Sequence, residues 1–305
     1  MRSERVVHSL GEDAAVVMIS DRLAMLTTVD FFTPIIDDPY IQGKIAACNS
    51  TNDVYAKGGL EIVSVLSLMG LPEDMPGEVS VAMLKGFVDF CGSIDAPVVG
   101  GQTIICPWPI LGGAVNALAE IDKVVPISGA RPGDRLVLTK PLGIQPIMEV
   151  LRLPDSGQDR MAEHMPELEL SRSIDLAVDL LTTSNRPAAE AMLDVGVNAA
   201  TDVTGFGIKG HALNMAEQSG VSIEIYKLPV IRWTPAIAGL LKIPLLQGEG
   251  VETAGGLLIS VSEENVEQLV DELGRRGCGG HVIGSVKKGG PQVRLSDDVD
   301  VIEVD

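Results

Sequence analysis

The chain has 305 residues, a formal net charge of −19 and only 3% aromatic residues. Such a length divides readily into two lobes; the acidic field repels nucleic acid and anionic membrane, and the scarcity of aromatic faces excludes a stacking platform for sugars or single strands. A nucleotide polyphosphate is repelled too, unless divalent cations stand between carboxylate and phosphate.

In chain order, "DAAVVMI" (13–19) and "LAMLTTVDFF" (23–32) read as neighbouring strands joined by a turn around Ser20-Asp21-Arg22. Residues 41–57 have helical character and stop at Gly58-Gly59. "IVSVLSLMGLP" (62–72) is expected as a buried strand ended by Gly and Pro. A helix follows over 77–93, with Val81, Leu84, Val88 and Cys91 near one stripe. "APVVGG" and "LGGAVNALAEI" supply two more strands. The turn at Pro132-Gly133-Asp134, inside "SGARPGDRLVLTKPLG", marks the expected junction of a domain over 1–127 with one over 128–305. The second lobe is expected to be helix-rich from 144 to 194 and helical again at 206–218. Strands at 221–226, 256–262, 280–286 and 291–295 and a helix at 263–276 complete it. Both lobes read as α+β.

Cys48, Cys91, Cys106 and Cys278 lie far apart with no CxxC pair, so free thiols in a reducing cytoplasm are expected rather than zinc or disulfides. No apolar run opens the chain or approaches a membrane span, which predicts a cytoplasmic protein.

Four aspartates mark the chemistry. Asp13 opens "DAAVV", Asp30 closes "LTTVD", Asp53 lies in "ACNSTNDVYAKGG" and Asp202 in "TDVTGFGIKGH". Asn49 and Asp53 are four apart and share a helix face with Asn52 beside them. Such a patch is either an exposed face or a metal-phosphate site, because burying it without partners is costly. Taken singly, Asp13 and Asp30 read as turn caps and Asp202 as a helix N-cap. Their recurrence suits a hard cation that takes several oxygen ligands. Gly100-Gly101-Gln102-Thr103, after Pro97-Val98-Val99, is either a plain turn or a glycine loop whose amides approach phosphate. "GFGIKG" resembles part of a phosphate loop, but its Lys lacks the context, and no Walker A or dinucleotide fingerprint is present. His8, His164, His211 and His281 show no metal-ligand spacing, and no G-x-S-x-G elbow supports serine hydrolase chemistry.

Taken in order, "GEDAAVV", "TTVDFFTPIIDDPY", "IAACNSTNDVYAKGG", "GGQTI", "LTKPLG" and "TDVTGFGIKGH" resemble the selenophosphate synthetase (selenide, water dikinase) family of the aminoimidazole-ribonucleotide-synthetase-like superfamily. The resemblance implies two α/β domains, the N-terminal one binding ATP and metal and forming a dimer barrel from its strands. It implies several Mg²⁺ ions held between ATP phosphates and aspartates, with Asp13, Asp53 and Asp202 as metal ligands. Gly11, Glu12, Asp30, Asn49, Asp53, Gly101, Gln102 and Thr103 would contact ATP, the last three from the partner subunit of a homodimer. The implied reaction converts ATP, selenide and water to selenophosphate, AMP and phosphate, a transfer that depends on positioning and charge neutralisation.

Departures from the family pattern are equally specific. "MRSERVVHSLGE" carries neither the family's catalytic Cys or selenocysteine nor its Lys, so no catalytic residue is assigned. The family's "GGHS" with a following Glu-Pro stands here as Gly100-Gly101-Gln102-Thr103 with Trp108-Pro109, and its "DPQTSGGLL" as "GVETAGGLL". The alternatives are a non-catalytic ATP-binding paralogue in selenium or sulfur metabolism, and a superfamily kinase with a different acceptor.

Overall fold

A computed structural model describes residues 4–8, 11–154 and 166–305. Part of the helix-rich run expected over 144–194, namely 155–165 with His164, lies outside the described residues, as do 1–3, Ser9 and Leu10 of the opening segment. The chain forms two compact units, Met1–Pro126 with Thr182–Leu193, and Ile127–Leu181 with Asp194–Asp305.

The first unit is a six-stranded sheet with helices on one face. Its strands are β1 (Val6–His8), β2 (Ala15–Met18), β3 (Leu23–Phe32), β4 (Glu61–Leu71), β5 (Val98–Ile105) and β6 (Ile110–Glu120), in the order β1-β2-β3-β6-β4-β5. The β2–β3 hairpin forms at the expected turn, where Ser20 Oγ accepts from Leu23 N at 3.2 Å. Only β4 and β5 pair in parallel, and helix α2 (Gly77–Ser93) connects them. The two-residue period of β3 buries Ala24 and Leu26 and leaves Val29 and Phe31 exposed.

Helix α1 (Pro39–Ala56) starts where its sequence dictates. Asp38 accepts from Tyr40 N and Ile41 N, and Pro39 occupies the first turn. Buried residues then fall all round the helix, including Ile45, Ala46, Cys48, Val54 and Tyr55. Within it, Ser50 Oγ and Thr51 Oγ1 donate to the carbonyls of Ala46 and Cys48, which satisfies two hydroxyls that would otherwise be costly to bury. The α1–α2 contact is backbone to backbone. A Cβ at Gly43 would lie 2.0 Å from Met83 O, and one at Gly86 would lie 1.9 Å from Tyr40 O.

Three expectations are corrected here. Met83, Phe87 and Phe90 form the buried face of α2 alongside Cys91, whereas Val81, Leu84 and Val88 are exposed; Gly86, against Tyr40 O, lies on the close face of the helix rather than in the expected stripe. β4 is not buried on both sides: Ile62, Val65 and Met69 are buried while Val63 and Leu66 are exposed. An apolar run alone does not distinguish one-sided from two-sided burial. Gly100–Thr103 is neither a turn nor a loop, because β5 runs straight through it, with Gly101 opposite Ser67. A Cβ at Gly101 would meet Ser67 O at 2.1 Å, so glycine there serves strand pairing.

The second unit holds β7 (Arg135–Leu138), β8 (Ala199–Asp202), β9 (Ser222–Ile231), β10 (Leu257–Val261), β11 (His281–Lys287) and β12 (Gln292–Val304). Their order is β12-β9-β11-β7-β10-β8, antiparallel except for β9 with β12. Its helices are α3 (Ile144–Leu151), α4 (Glu167–Leu181), α6 (Gly207–Ser219), α7 (Thr234–Leu241) and α8 (Val266–Arg275); α5 (Arg186–Val195) lies almost wholly within the segment that folds with the first unit. Leu136, Leu138, Met215, Ile223, Ile225, Leu258 and Ile283 form part of its core. β9 and β12 extend beyond the expected strands, since Pro229 sits within β9 in register with Ile302. No helix among the described residues is long and apolar enough to cross a membrane.

Glu252 is buried and accepts from Gly143 N at 2.7 Å and Ile144 N at 3.0 Å, which caps the start of α3. Burial pushes its carboxyl up to about 8, while the two backbone bonds act in the opposite direction. A carboxyl raised in the folded state binds its proton more tightly there than in the unfolded chain. Its stabilisation is therefore complete below the ordinary carboxylate range and is lost as pH rises toward about 8. Urea unfolding of the full chain should show stability falling from pH 5 to 8, with this group contributing a slope of up to about 1.4 kcal/mol per pH unit. Glu252→Gln should flatten that slope while lowering stability throughout, because the amide NH2 would be set against one of the two backbone N–H groups. An unchanged slope would assign the pH dependence elsewhere.

Candidate functional site

In the first unit, strand alternation places Thr28 and Asp30 on the sheet face that carries α1, opposite to Val29 and Phe31. The helix answers with Asn49 and Asp53, one turn apart. Asn49 Nδ2 donates to Asp30 Oδ2, Ser50 Oγ donates to Asp30 O at 3.3 Å, and Thr28 Oγ1 donates to Asp53 Oδ2 at 2.5 Å. Asn52, fully buried, accepts from Asn185 Nδ2 at 3.0 Å. Asn49 and Asn52 are thus buried and bonded, with Asp53 half-buried beside them, which removes the exposed-face reading of this helix. Burial raises the Asp30 carboxyl above its ordinary range, opposed by the Asn49 amide and the Phe31 backbone N–H.

Asp13 lies in the turn before β2, next to the strand that pairs with β3. Gly11, with φ +94°, supplies the left-handed step into that turn. Asp13 and Asp53 each present a carboxylate oxygen within 4.8 Å of the other. Two carboxylates this close repel, and a divalent cation reverses the sign of that interaction. The donors are all hard oxygens, with no thiol or imidazole among these residues, so the set fits Mg²⁺ rather than zinc. Glu12, beside Asp13, is drawn into a different arrangement. It forms an ion pair with Lys57, whose side chain is completely buried, and it meets His8 Nδ1 at 3.2 Å.

Gly101, Gln102 and Thr103 are not brought to these aspartates within the sheet order. They lie exposed on edge strand β5, with β6 and β4 between it and β3. Register places Gln102 in one row with Leu68, Gly112 and Phe31, on the face turned away from α1.

In the second unit, Asp202 is the last residue of β8, opposite Leu257, and is buried. It is not the N-cap expected of a strand-end Asp: α6 starts at Gly207, after Phe206, which makes no side-chain cap bond. The connection is held instead by His211, whose Nε2 accepts from Thr204 N at 3.0 Å. Burial lowers this imidazole to about 4, so it stays neutral and an acceptor. Lys209 pairs with Glu249 at 2.6 Å on the surface, which is not the context of a phosphate-loop lysine.

Sequence reasoning missed Thr28, Lys57 and Asn185. The period of β3 and the four-residue step from Asp53 to Lys57 could have located the first two. Asn185 is distant in the chain and carries no local signal.

Residues 11–119 match the family described as AIR synthase related protein, N-terminal domain, and residues 131–296 match its C-terminal domain. The selenide, water dikinase of Methanocaldococcus jannaschii is 47% identical over 309 aligned positions, which span 99% of this chain and 88% of that one. Among solved structures, thiamine monophosphate kinase from Aquifex aeolicus superposes with a TM-score of 0.72 at 21% identity, covering 95% of this chain and 92% of that one. Hydrogenase maturation protein HypE in complex with ATP gives 0.71 at 18% identity, covering 93% and 84%. The last two share the fold. With both domains matched and nearly half the positions identical to a full-length relative, the chain belongs to the selenide, water dikinase (selenophosphate synthetase) family of AIR synthase related proteins.

Proposed function

We propose that this protein is an ATP- and Mg²⁺-dependent phosphotransferase that converts ATP, selenide and water to selenophosphate, AMP and phosphate. The observation that carries the reading is the pairing of Asp13 with Asp53, supported from behind by Thr28, in a chain whose relatives are selenide, water dikinases. Asp13, Asp53 and Asp202 are its metal ligands. Mg²⁺ supplies charge neutralisation for the polyphosphate, which a chain of net charge −19 cannot supply with its own surface. Asp30 and Asn49, bonded to one another, face the nucleotide beside them, and Gly11 and Glu12 border it. The order of the cluster, fixed before any ligand arrives, suits a reaction governed by positioning. Four free cysteines fit a cytoplasmic setting.

The protein acts as a homodimer. Val29 and Phe31 on β3, Leu66 on β4 and Ile104 on β5 expose apolar side chains on the sheet face opposite α1, with β6 running between β3 and β4. Gln102 shares that face, which suits Gly101, Gln102 and Thr103 reaching ATP from the partner subunit. A patch spread over β3, β4 and β5 is larger than scattered surface residues account for.

Incubation with ATP, Mg²⁺ and selenide should yield AMP and a selenophosphate phosphorus resonance. Binding of ATP without turnover would favour a non-catalytic paralogue, and AMP formed only with another acceptor would favour a different kinase. Asp202→Asn should weaken Mg-ATP binding about tenfold or more, measured by calorimetry, with the fold retained. Unchanged binding combined with a stability loss would leave that aspartate a structural role alone. Phe31→Asp should weaken self-association by about a hundredfold in sedimentation experiments. An unaltered oligomeric state would place the subunit interface elsewhere.

A further inference from the structure

Lys57 is the fully buried cation of the first unit among the described residues, and its partner Glu12 is nearly as enclosed. Desolvating an ammonium and a carboxylate costs several kcal/mol for each ion, so an isolated buried pair is a poor source of stability. The pair's position in the chain suggests another role. Glu12 immediately precedes Asp13, and Lys57 follows Asp53 by four residues at the end of α1. The ion pair therefore joins the two segments that carry the paired carboxylates. Lys57 is fixed independently, since its carbonyl accepts from Val125 N at 3.1 Å and its N–H donates to Tyr55 O. Glu12 is held from its other side by His8 Nδ1.

We propose that Lys57 is a positioning residue that, through Glu12, sets the separation of Asp13 and Asp53 and so the affinity of this site for a divalent cation. Lys57 itself touches neither cation nor phosphate. It also neutralises Glu12, so that a third carboxylate does not compete with Asp13 and Asp53 for the ion. The inference rests on reading Asp13 and Asp53 as metal ligands.

The test uses Mn²⁺ alone as probe on the full chain, with binding read by electron paramagnetic resonance and thermal stability measured in parallel. The decisive variant is the double Lys57→Met/Glu12→Gln, which removes one charge of each sign and leaves the net charge of the network unchanged. Lys57→Met alone leaves Glu12 buried without its cation and should lower the melting temperature, and the double variant should recover most of that loss. Mn²⁺ affinity of the double variant should nevertheless stay about tenfold below wild type. A folded double variant with affinity within about twofold of wild type overturns the proposal. So does a double variant that cannot fold, because the pair would then be a requirement of the fold. Asp53→Asn should bind Mn²⁺ more weakly than wild type; equal binding by the two would instead overturn the ligand reading, and this inference with it.

Discussion

Everything in the first unit depends on burying α1 almost completely while it carries Asn49, Asn52 and Asp53. A helix enclosed on all sides is ordinarily apolar. Here the sheet and a distant segment supply a partner for each polar group: Asp30 for Asn49, Thr28 for Asp53 and Asn185 for Asn52. This requirement explains several local choices at once. Gly43 and Gly86 let α2 approach to backbone contact, which closes the far side of the helix. Thr182–Leu193 folds with this unit and brings Asn185 to the helix, while Cys48 Sγ donates to Thr183 O at 3.3 Å. Arg186 fixes the same segment by donating to Ile94 O at 2.9 Å.

The two faces of the first sheet are divided by this arrangement. One carries α1 and the carboxylates, and the other carries exposed valine, leucine, isoleucine and phenylalanine side chains. Alternation along β3 makes the division strict, since Thr28 and Asp30 point one way and Val29 and Phe31 the other. A shift of one residue in the β3–β6 register would exchange the two sets and destroy both surfaces. Ten consecutive pairings between Leu23–Phe32 and Leu111–Glu120 hold that register.

Strong local signals made much of this legible in the sequence. β3 and α2 occupy the expected residues, while α1, expected over 41–57, runs Pro39–Ala56 from a cap at Asp38 that was not read. Motif order pointed to the family, and the residues it singled out lie near one another in pairs, Asp30 with Asn49 and Asp13 with Asp53. What the sequence concealed was environment rather than element type. The α2 stripe turned out to be the wrong face because Val81, Leu84 and Val88 fit helical spacing as well as Met83, Phe87 and Phe90 do. Gly100-Gly101 looked like a loop because glycine is usually read as flexibility, whereas Gly101 permits close approach to Ser67 within a strand. Lys57 was hidden because a lysine next to two glycines resembles a solvated helix end. Only three-dimensional packing shows it buried against Glu12.

Carboxylate burial also separates structural from chemical roles. Asp134 in the second unit is enclosed, and both of its oxygens are used: Oδ2 accepts from Arg131 N and Ser260 Oγ, and Asn198 Nδ2 reaches Oδ1 and Oδ2. Glu252 likewise engages one backbone N–H with each oxygen. Such groups complete turns and helix starts through the neutral donors around them. Asp13 and Asp53 are arranged otherwise, with a carboxylate oxygen of each within 4.8 Å of the other. Like charges placed together repel more strongly as water is excluded. A divalent cation between them would offset that repulsion, and in the function proposed above a polyphosphate is the anion it would bring to an acidic protein.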